Sequence, residues 1–313
     1  MMLIASSLRG AGERSAEALV RLAGDAGFGG IALGPFCARA DAIELVAGAA
    51  AAGLAVPVTA TPFLDTAALP PGKRLPFFAS VDDPEERRAA VTLFGRTLDA
   101  AVPLGVRVFT VYLGDVPLGV SAVEIRRRFQ RRELDEDEPG AAPLADAFAE
   151  RRARSPQILD ACRFSLDLLA PLAERACVSV ALEVSGGPWG APTPREATVL
   201  LEEYREAPFG VVWDDARLHV LATLGAAPIE ERARLLAAAA RVRRANEAVG
   251  IDVGFLPGQG DSPLPALADI SPAPGIPTVV AGRGDSTVDE LRRARALAAP
   301  AEPKQPVSAE SAR

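Results

Sequence analysis

The chain has 313 residues, of which 49% are apolar and 5% aromatic, and its net charge is −7. This length is typical of an α/β barrel. An acidic chain has no general attraction for phosphate backbones, so we expect no nucleic-acid partner. No charge-free apolar run approaches the roughly 18 residues of a membrane span, so we expect no membrane-embedded part. The spacing of the three cysteines fits neither a disulfide framework nor a metal site, and the sequence shows no signal-peptide pattern. We therefore expect a cytoplasmic protein.

The first third of the chain alternates short apolar strands with helices. The strands are predicted at Leu3–Ser7, Gly29–Gly34, Leu54–Ala60 and Gly105–Gly114. The helices between them are predicted at Ser15–Phe28 and Ala40–Ala52 and from Asp82 to about Leu104. This alternation indicates parallel strands joined by right-handed crossovers.

A long charged insertion follows the fourth predicted strand, at about residues 118–155. Its arginines at 126–128, 131 and 132 are matched by acids at 133 and 135–138. The plain interpretation is a solvated helix and an acidic turn. The alternatives are a lid over the barrel mouth or an interaction surface. Ser155-Pro156 is expected to open the next helix, which continues to Ala176.

The rest of the chain continues the alternation. Further strands are predicted to end at Glu183 and to span Gly210–Asp214, Val249–Leu256 and Pro277–Gly282. Helices are predicted from Thr193, over Ile229–Glu247 and from Ser286 to about Ala299. Eight strands predict a single (β/α)₈ TIM barrel over residues 1–298, with a disordered tail at 299–313. The first strand lacks the glycine fingerprint of a dinucleotide site, so we expect no nucleotide cofactor.

Acidic residues stand at the ends of three consecutive predicted strands. These are Glu183, Asp214 and Asp252. Carboxyl strand ends converge at the mouth of a barrel, where clustered carboxylates need a cation, protonation or basic partners. Oxygen ligands favour Mg²⁺ or Mn²⁺. Asp252 depends on the strand register, and the neighbouring Asp215 is interpreted as a helix cap.

Two further residues lie close to these acids. Arg217 follows Asp214 by three positions, and it could bind an anionic group or neutralise the acids. His219 is the only histidine of the chain, which excludes sites that need two or more histidines. It is interpreted as a structural residue or as a contact for a substrate.

The order of several segments resembles the xylose-isomerase-like barrels, the sugar isomerase/epimerase superfamily. The segments are Gly27–Ile31, Leu104–Val108, Leu172–Arg175 with Val180–Glu183, Gly210–Asp214 and Pro257–Asp261. The resemblance covers most of residues 1–298. It implies a barrel enzyme that transfers protons on sugar-like substrates.

The resemblance also implies a divalent metal site. The family holds its metal with Glu, Asp, His and Glu from strands five to eight; the first two match Glu183 and Asp214. The third falls on or near Asp252 and the fourth on Ala281, which cannot bind a metal. A family histidine falls on Arg217 and another on Tyr112, which makes both candidate substrate contacts.

The sequence is compatible with two functions. The first is an isomerase- or epimerase-type enzyme, with Glu183 as catalytic base, one Mg²⁺ or Mn²⁺ ion and a small hydroxy-carbonyl substrate. The second is a degenerate barrel that binds a ligand or partner without turnover. A homo-oligomer is compatible with either function.

Overall fold

The structure, a computed structural model, describes residues 1–9, 15–34, 39–61, 75–131, 142–225, 230–260, 270–282 and 286–299. The strands of this part of the chain are β1 (Met2–Ala5), β2 (Gly30–Leu33), β3 (Ala55–Ala60), β4 (Val108–Val111), β5 (Gly114–Asp115), β6 (Ser179–Glu183), β7 (Gly190–Ala191), β8 (Phe209–Asp214), β9 (Ala240–Ala245), β10 (Glu247–Val249), β11 (Asp252–Phe255) and β12 (Thr278–Val280).

The strands form a closed barrel and two small side sheets. The barrel order is β1-β12-β9-β8-β6-β4-β3-β2, and every pair in it is parallel. The antiparallel pairs β5–β7 and β10–β11 lie outside the barrel. The predicted (β/α)₈ barrel is confirmed.

Helices alternate with the barrel strands. They are α1 (Ala16–Asp25), α2 (Arg39–Ala51), α3 (Pro84–Ala101), α4 (Ala122–Gln130), α5 (Ala142–Ala176), α6 (Pro194–Glu203), α7 (Asp215–Thr223), α8 (Glu230–Ala238) and α9 (Val288–Ala298). Local sequence signals define the N-termini of several helices: Asp83 caps α3 ahead of Pro84, and Thr193 forms a capping box with Glu196 on α6. Among the described helices, none has the length and hydropathy needed to cross a bilayer.

Successive side chains along the barrel strands alternate between two apolar layers. Small and branched side chains form one cluster inside the barrel: Leu3, Ala5, Ala32, Val58, Val242 and Val279. The intervening residues, such as Ile4, Ile31 and Phe109, belong to the larger cluster between the sheet and the helices. This alternation fixes which strand residues face the lumen.

The seventh barrel strand is not where the sequence predicted it. The predicted helix Ile229–Glu247 is wrong in its second half: α8 ends at Ala238, and β9 follows and pairs with β8 and β12. The predicted strand Val249–Leu256 belongs to the β10–β11 hairpin instead. Alanine and arginine favour helices locally, but parallel pairing on both edges overrides that propensity.

The segment after the fourth strand contributes helices on one side of the barrel. The expected helix start at Ser155 is wrong, because α5 runs from Ala142 to Ala176 with Pro156 in its interior. A second apolar cluster joins residues of α4, α5, α7 and the β10–β11 hairpin. The acids at 133 and 135–138 lie outside the described residues, as does the predicted tail after residue 299. The bounds 118–155 of the insertion remain a prediction.

Candidate functional site

Three neighbouring strands deliver charged side chains to the barrel mouth. Glu183 is the last residue of β6, Asp214 is the last of β8, and Arg244 lies near the end of β9. Arg217 joins them from the first turn of α7. The strand order β6-β8-β9 makes these ends adjacent. The four residues, Glu183, Asp214, Arg217 and Arg244, are called the mouth cluster below.

The carboxylate of Glu183 accepts hydrogen bonds on both oxygens. Its Oε1 accepts from Arg244 Nη2 at 2.8 Å and from Thr110 Oγ1 at 3.3 Å. Its Oε2 accepts from Arg244 Nη1 at 3.3 Å and pairs with Arg217 Nη2 at 2.8 Å. A carboxylate offers about four lone-pair positions, and the three hydrogen bonds from Arg244 and Thr110 take three of them.

Asp214 is bound to the same two arginines. Arg244 Nη1 donates to its Oδ2 at 3.1 Å, and Arg217 Nε lies 3.6 Å from that oxygen. Its Oδ1 accepts from the backbone N–H of Arg217 at 3.0 Å, which makes Asp214 the N-cap of α7. The interpretation of Asp215 as the cap is therefore wrong. Asp215 accepts instead from the Trp213 indole at 2.7 Å and pairs with Arg243 at 2.9 Å.

These contacts set the protonation state of Glu183. Burial alone raises its pKa, because the charged form loses water. The charges of Arg244 and Arg217 and the hydrogen bonds from Arg244 and Thr110 outweigh burial, and the net pKa lies far below its ordinary value. Glu183 is therefore ionised throughout the neutral range. A carboxylate stabilised in this way is a weak proton acceptor.

A cavity of about 240 Å³ opens beside the mouth cluster. Its polar lining comes from Thr61, Tyr112, Glu183 and Arg217. Tyr112 follows β4 and donates its hydroxyl proton to Asp115. The Arg217 guanidinium lies over the Tyr112 ring, 5.9 Å from its centroid. Burial, followed by the charge of Asp115, raises the pKa of Tyr112, so its hydroxyl stays protonated.

The structure brings together only some of the predicted site residues. Glu183, Asp214 and Arg217 lie in one cluster, and Tyr112 borders the same cavity. His219 lies farther along α7, where its Nε2 is 3.3 Å from Thr223 Oγ1, and it is not among the described residues lining the cavity. Asp252 lies on the β10–β11 hairpin, where it pairs with Arg126 at 2.9 Å. The predicted grouping of Asp252 with the other two acids is wrong.

The donor set does not fit a divalent metal. Between residues 1 and 299, the described parts hold no group of three His, Cys, Asp or Glu side chains placed to bind one. The two carboxylates that do approach each other are bridged by Arg244. A metal here would have to displace a guanidinium that neutralises both acids, against mutual repulsion of the two cations.

Sequence reasoning missed Arg244 and Thr110. The sequence predicts a helix at Arg244, and this prediction gives no indication that the Arg244 side chain lies beside the acids. The sequence signal for a strand is Ala240-Arg241-Val242, in which apolar and charged residues alternate, and the structure buries the two apolar ones. Thr110 lies inside β4, and only the pairing of β4 with β6 places it beside Glu183.

No family model matches the chain, and no curated protein matches it either. Solved structures do. For 3-keto-D-glucoside 4-epimerase from E. coli, in its apo form, the TM-score is 0.63 at 13% identity, over 95% of this chain and 98% of that chain. For D-allulose 3-epimerase from Methylomonas sp., in complex with D-allulose, the TM-score is 0.58 at 13% identity, over 95% and 88%.

A xylose isomerase domain protein from Planctomyces limnophilus gives a TM-score of 0.52 at 16% identity, over 95% of this chain and 93% of that chain. Identities this low establish the fold alone. The shared fold is a TIM barrel, and the structures that share it are sugar epimerases and a xylose isomerase domain protein, the group that the sequence resemblance indicated.

Proposed function

We propose that this epimerase-like barrel binds a small hydroxy-carbonyl compound, a sugar or a related molecule, in the cavity beside Glu183 and Arg217. The two arginines of the mouth cluster take the place of a divalent metal. The proposal rests on one observation: Arg244 bridges Glu183 and Asp214, while Glu183 and Arg217 both line the cavity. The positive charge that a metal would bring to these acids is thus supplied by the chain itself.

The chemistry of the exposed groups suits such a ligand. A guanidinium donates to a carbonyl oxygen, and a carboxylate accepts from a hydroxyl. Arg217, with 24% of its side chain exposed, is the more accessible partner. Binding without turnover is the function that this geometry supports best, because Glu183 is a weak base and Ala281 offers no second carboxylate.

Calorimetric titration with D-allulose, D-tagatose and dihydroxyacetone, with EDTA present, tests this proposal. We expect at least one of them to bind with EDTA present and the affinity to fall at least tenfold in Arg217→Met. The control is Arg292→Met, which alters an exposed pair with Asp289 on α9. Binding that requires added Mg²⁺ or Mn²⁺, or that survives Arg217→Met, contradicts the proposal.

A second candidate is one-base proton transfer by Glu183. The observation that favours it is the position of Glu183 on the cavity wall, next to a guanidinium that could stabilise an oxyanion. This activity would exchange the hydrogen on the carbon beside the carbonyl group for deuterium from D₂O. Loss of that exchange in Glu183→Gln would support catalysis; no exchange in the wild-type protein with any bound compound would exclude it.

A further inference from the structure

The walls of the cavity away from the mouth cluster are apolar. They are formed by Leu75, Pro76, Phe77, Phe78, Leu93 and Phe94. A cavity of about 150 Å³ with similar walls accommodates a benzene ring in another protein. At about 240 Å³, this cavity has room for such a ring together with a short polar group.

The aromatic wall is held in place by the rest of the barrel. The backbone N–H of Ala79 donates to Leu113 O at 2.9 Å, and Ser165 Oγ donates to Phe78 O at 2.6 Å. Phe77 meets Tyr112 edge to face, with ring centroids 6.3 Å apart. The cavity is therefore preformed along this side, which reduces the entropy cost of binding.

Gly114 permits this placement of Phe77. Its φ of +136° is a conformation that L side chains rarely adopt, and a Cβ there would come within 2.6 Å of the Phe77 side chain. A side chain at position 114 would therefore displace the ring from the cavity wall.

The polar lining offers few unused hydrogen-bonding groups. Thr61 Oγ1 already donates to Thr110 O at 3.0 Å, and the Tyr112 hydroxyl donates to Asp115. Glu183 and Arg217 are the charged residues among the described lining, and their charges cancel. A polyol would bury hydroxyl groups against Phe77 and its neighbours without partners, which is unfavourable. A charged ligand gains no net attraction.

We propose that the ligand is an uncharged hydroxy-carbonyl compound with an apolar, ring-sized body, rather than a free sugar. Its polar end contacts Glu183 and Arg217, and its body lies against Phe77, Phe78 and Leu93. This inference rests on the proposed function and narrows its ligand class.

The test compares two compounds with the same polar group. 2-Hydroxyacetophenone carries a phenyl ring where hydroxyacetone carries a methyl group, and D-tagatose serves as the polyol. Titration of the full chain should give an affinity for 2-hydroxyacetophenone at least about tenfold higher than for either of the others, because the ring is buried. Phe77→Ala should weaken the binding of 2-hydroxyacetophenone more than that of hydroxyacetone and so remove most of that advantage.

Two further variants keep the test decisive. Phe129→Ala, in the separate apolar cluster on α4, is the control and should leave all affinities unchanged. Leu93→Phe should narrow the cavity and weaken binding of the aromatic ligand. This variant serves as the test if Phe77→Ala fails to fold. Equal or tighter binding of D-tagatose overturns this inference and leaves the proposed function standing. Failure of every hydroxy-carbonyl compound to bind overturns both.

Discussion

Arg151 and Glu196 form an ion pair inside the molecule, whereas Arg217 and Arg244 bind Glu183 and Asp214 at the barrel mouth. The inner pair is bidentate, at 2.6 and 2.5 Å, and its side chains are 3% and 2% exposed. Arg217 and Arg244 are 24% and 20% exposed. Both groups are neutral and hydrogen-bonded, so charge alone does not distinguish them.

The surroundings of the two groups distinguish them. Glu196 also accepts from Ser155 Oγ at 2.6 Å and from the backbone N–H of Thr193 at 2.9 Å, and Arg151 donates to Gly190 O at 3.2 Å. The inner pair therefore joins α5, β7 and the capping box of α6. The mouth cluster borders a cavity instead. The comparison separates an ion pair that maintains the fold from one that a ligand can reach.

Removing Glu196 should have the largest effect on stability. Glu196→Ala leaves the Arg151 charge buried without its carboxylate, which costs about 4 kcal/mol of unfolding free energy. Urea unfolding followed by circular dichroism measures this loss. The control is Glu203→Ala, in the exposed pair with Arg163, where we expect less than about 1 kcal/mol. Equal losses in both variants would remove the distinction between buried and exposed pairs.

Arg244→Met should have the second-largest effect, a loss of about 3 kcal/mol of unfolding free energy at pH 7, because Arg217 alone then faces two carboxylates. Loss of the Arg244 cation raises the pKa of Glu183. The stability deficit of the variant relative to wild type should therefore shrink between pH 5 and pH 3, where wild-type Glu183 loses the stabilisation that its lowered pKa provides. Unfolding midpoints at pH 5 and pH 3 test this, and a deficit that grows towards pH 3 would contradict it.

Glu183→Gln should cost about 2 kcal/mol at neutral pH, the scale of a hydrogen bond to a charged group. In the folded chain, the pKa of Glu183 is lowered below its ordinary value of 4.5. A lowered pKa stabilises the folded state above the unfolded value, and this contribution disappears as the pH falls below it. The difference between wild type and variant should thus shrink between pH 5 and pH 3. A difference that stays constant over this range would refute the assignment.

Arg217→Met should affect stability least, by less than about 1 kcal/mol, because this arginine is partly solvated and Arg244 remains bound to both acids. Its effect on ligand affinity should nevertheless be the largest of the four variants when expressed per folded molecule. Thermal unfolding and titration of one preparation measure both quantities. A large stability loss with unchanged affinity would make Arg217 a structural residue like Arg151.

The sequence predicted the barrel and the positions of Glu183 and Asp214 because buried strands with polar ends have a recognisable local pattern. It did not predict β9, whose alanines and arginines resemble a helix until β8 and β12 pair with them. That single error placed Asp252 at the mouth and left Arg244 out of it. Which cation neutralises the acids depends on three-dimensional pairing, so local pattern could not decide between a metal and an arginine.

We infer that the guanidinium groups of Arg217 and Arg244 occupy the place of a divalent metal. Calorimetric titration of the metal-free wild-type chain with Mn²⁺ at pH 7.5 tests this inference. We expect no binding at the mouth, so that Glu183→Gln and wild type give the same trace. One Mn²⁺ ion bound per wild-type chain, and lost in Glu183→Gln, would show that the acids hold a metal rather than the two arginines.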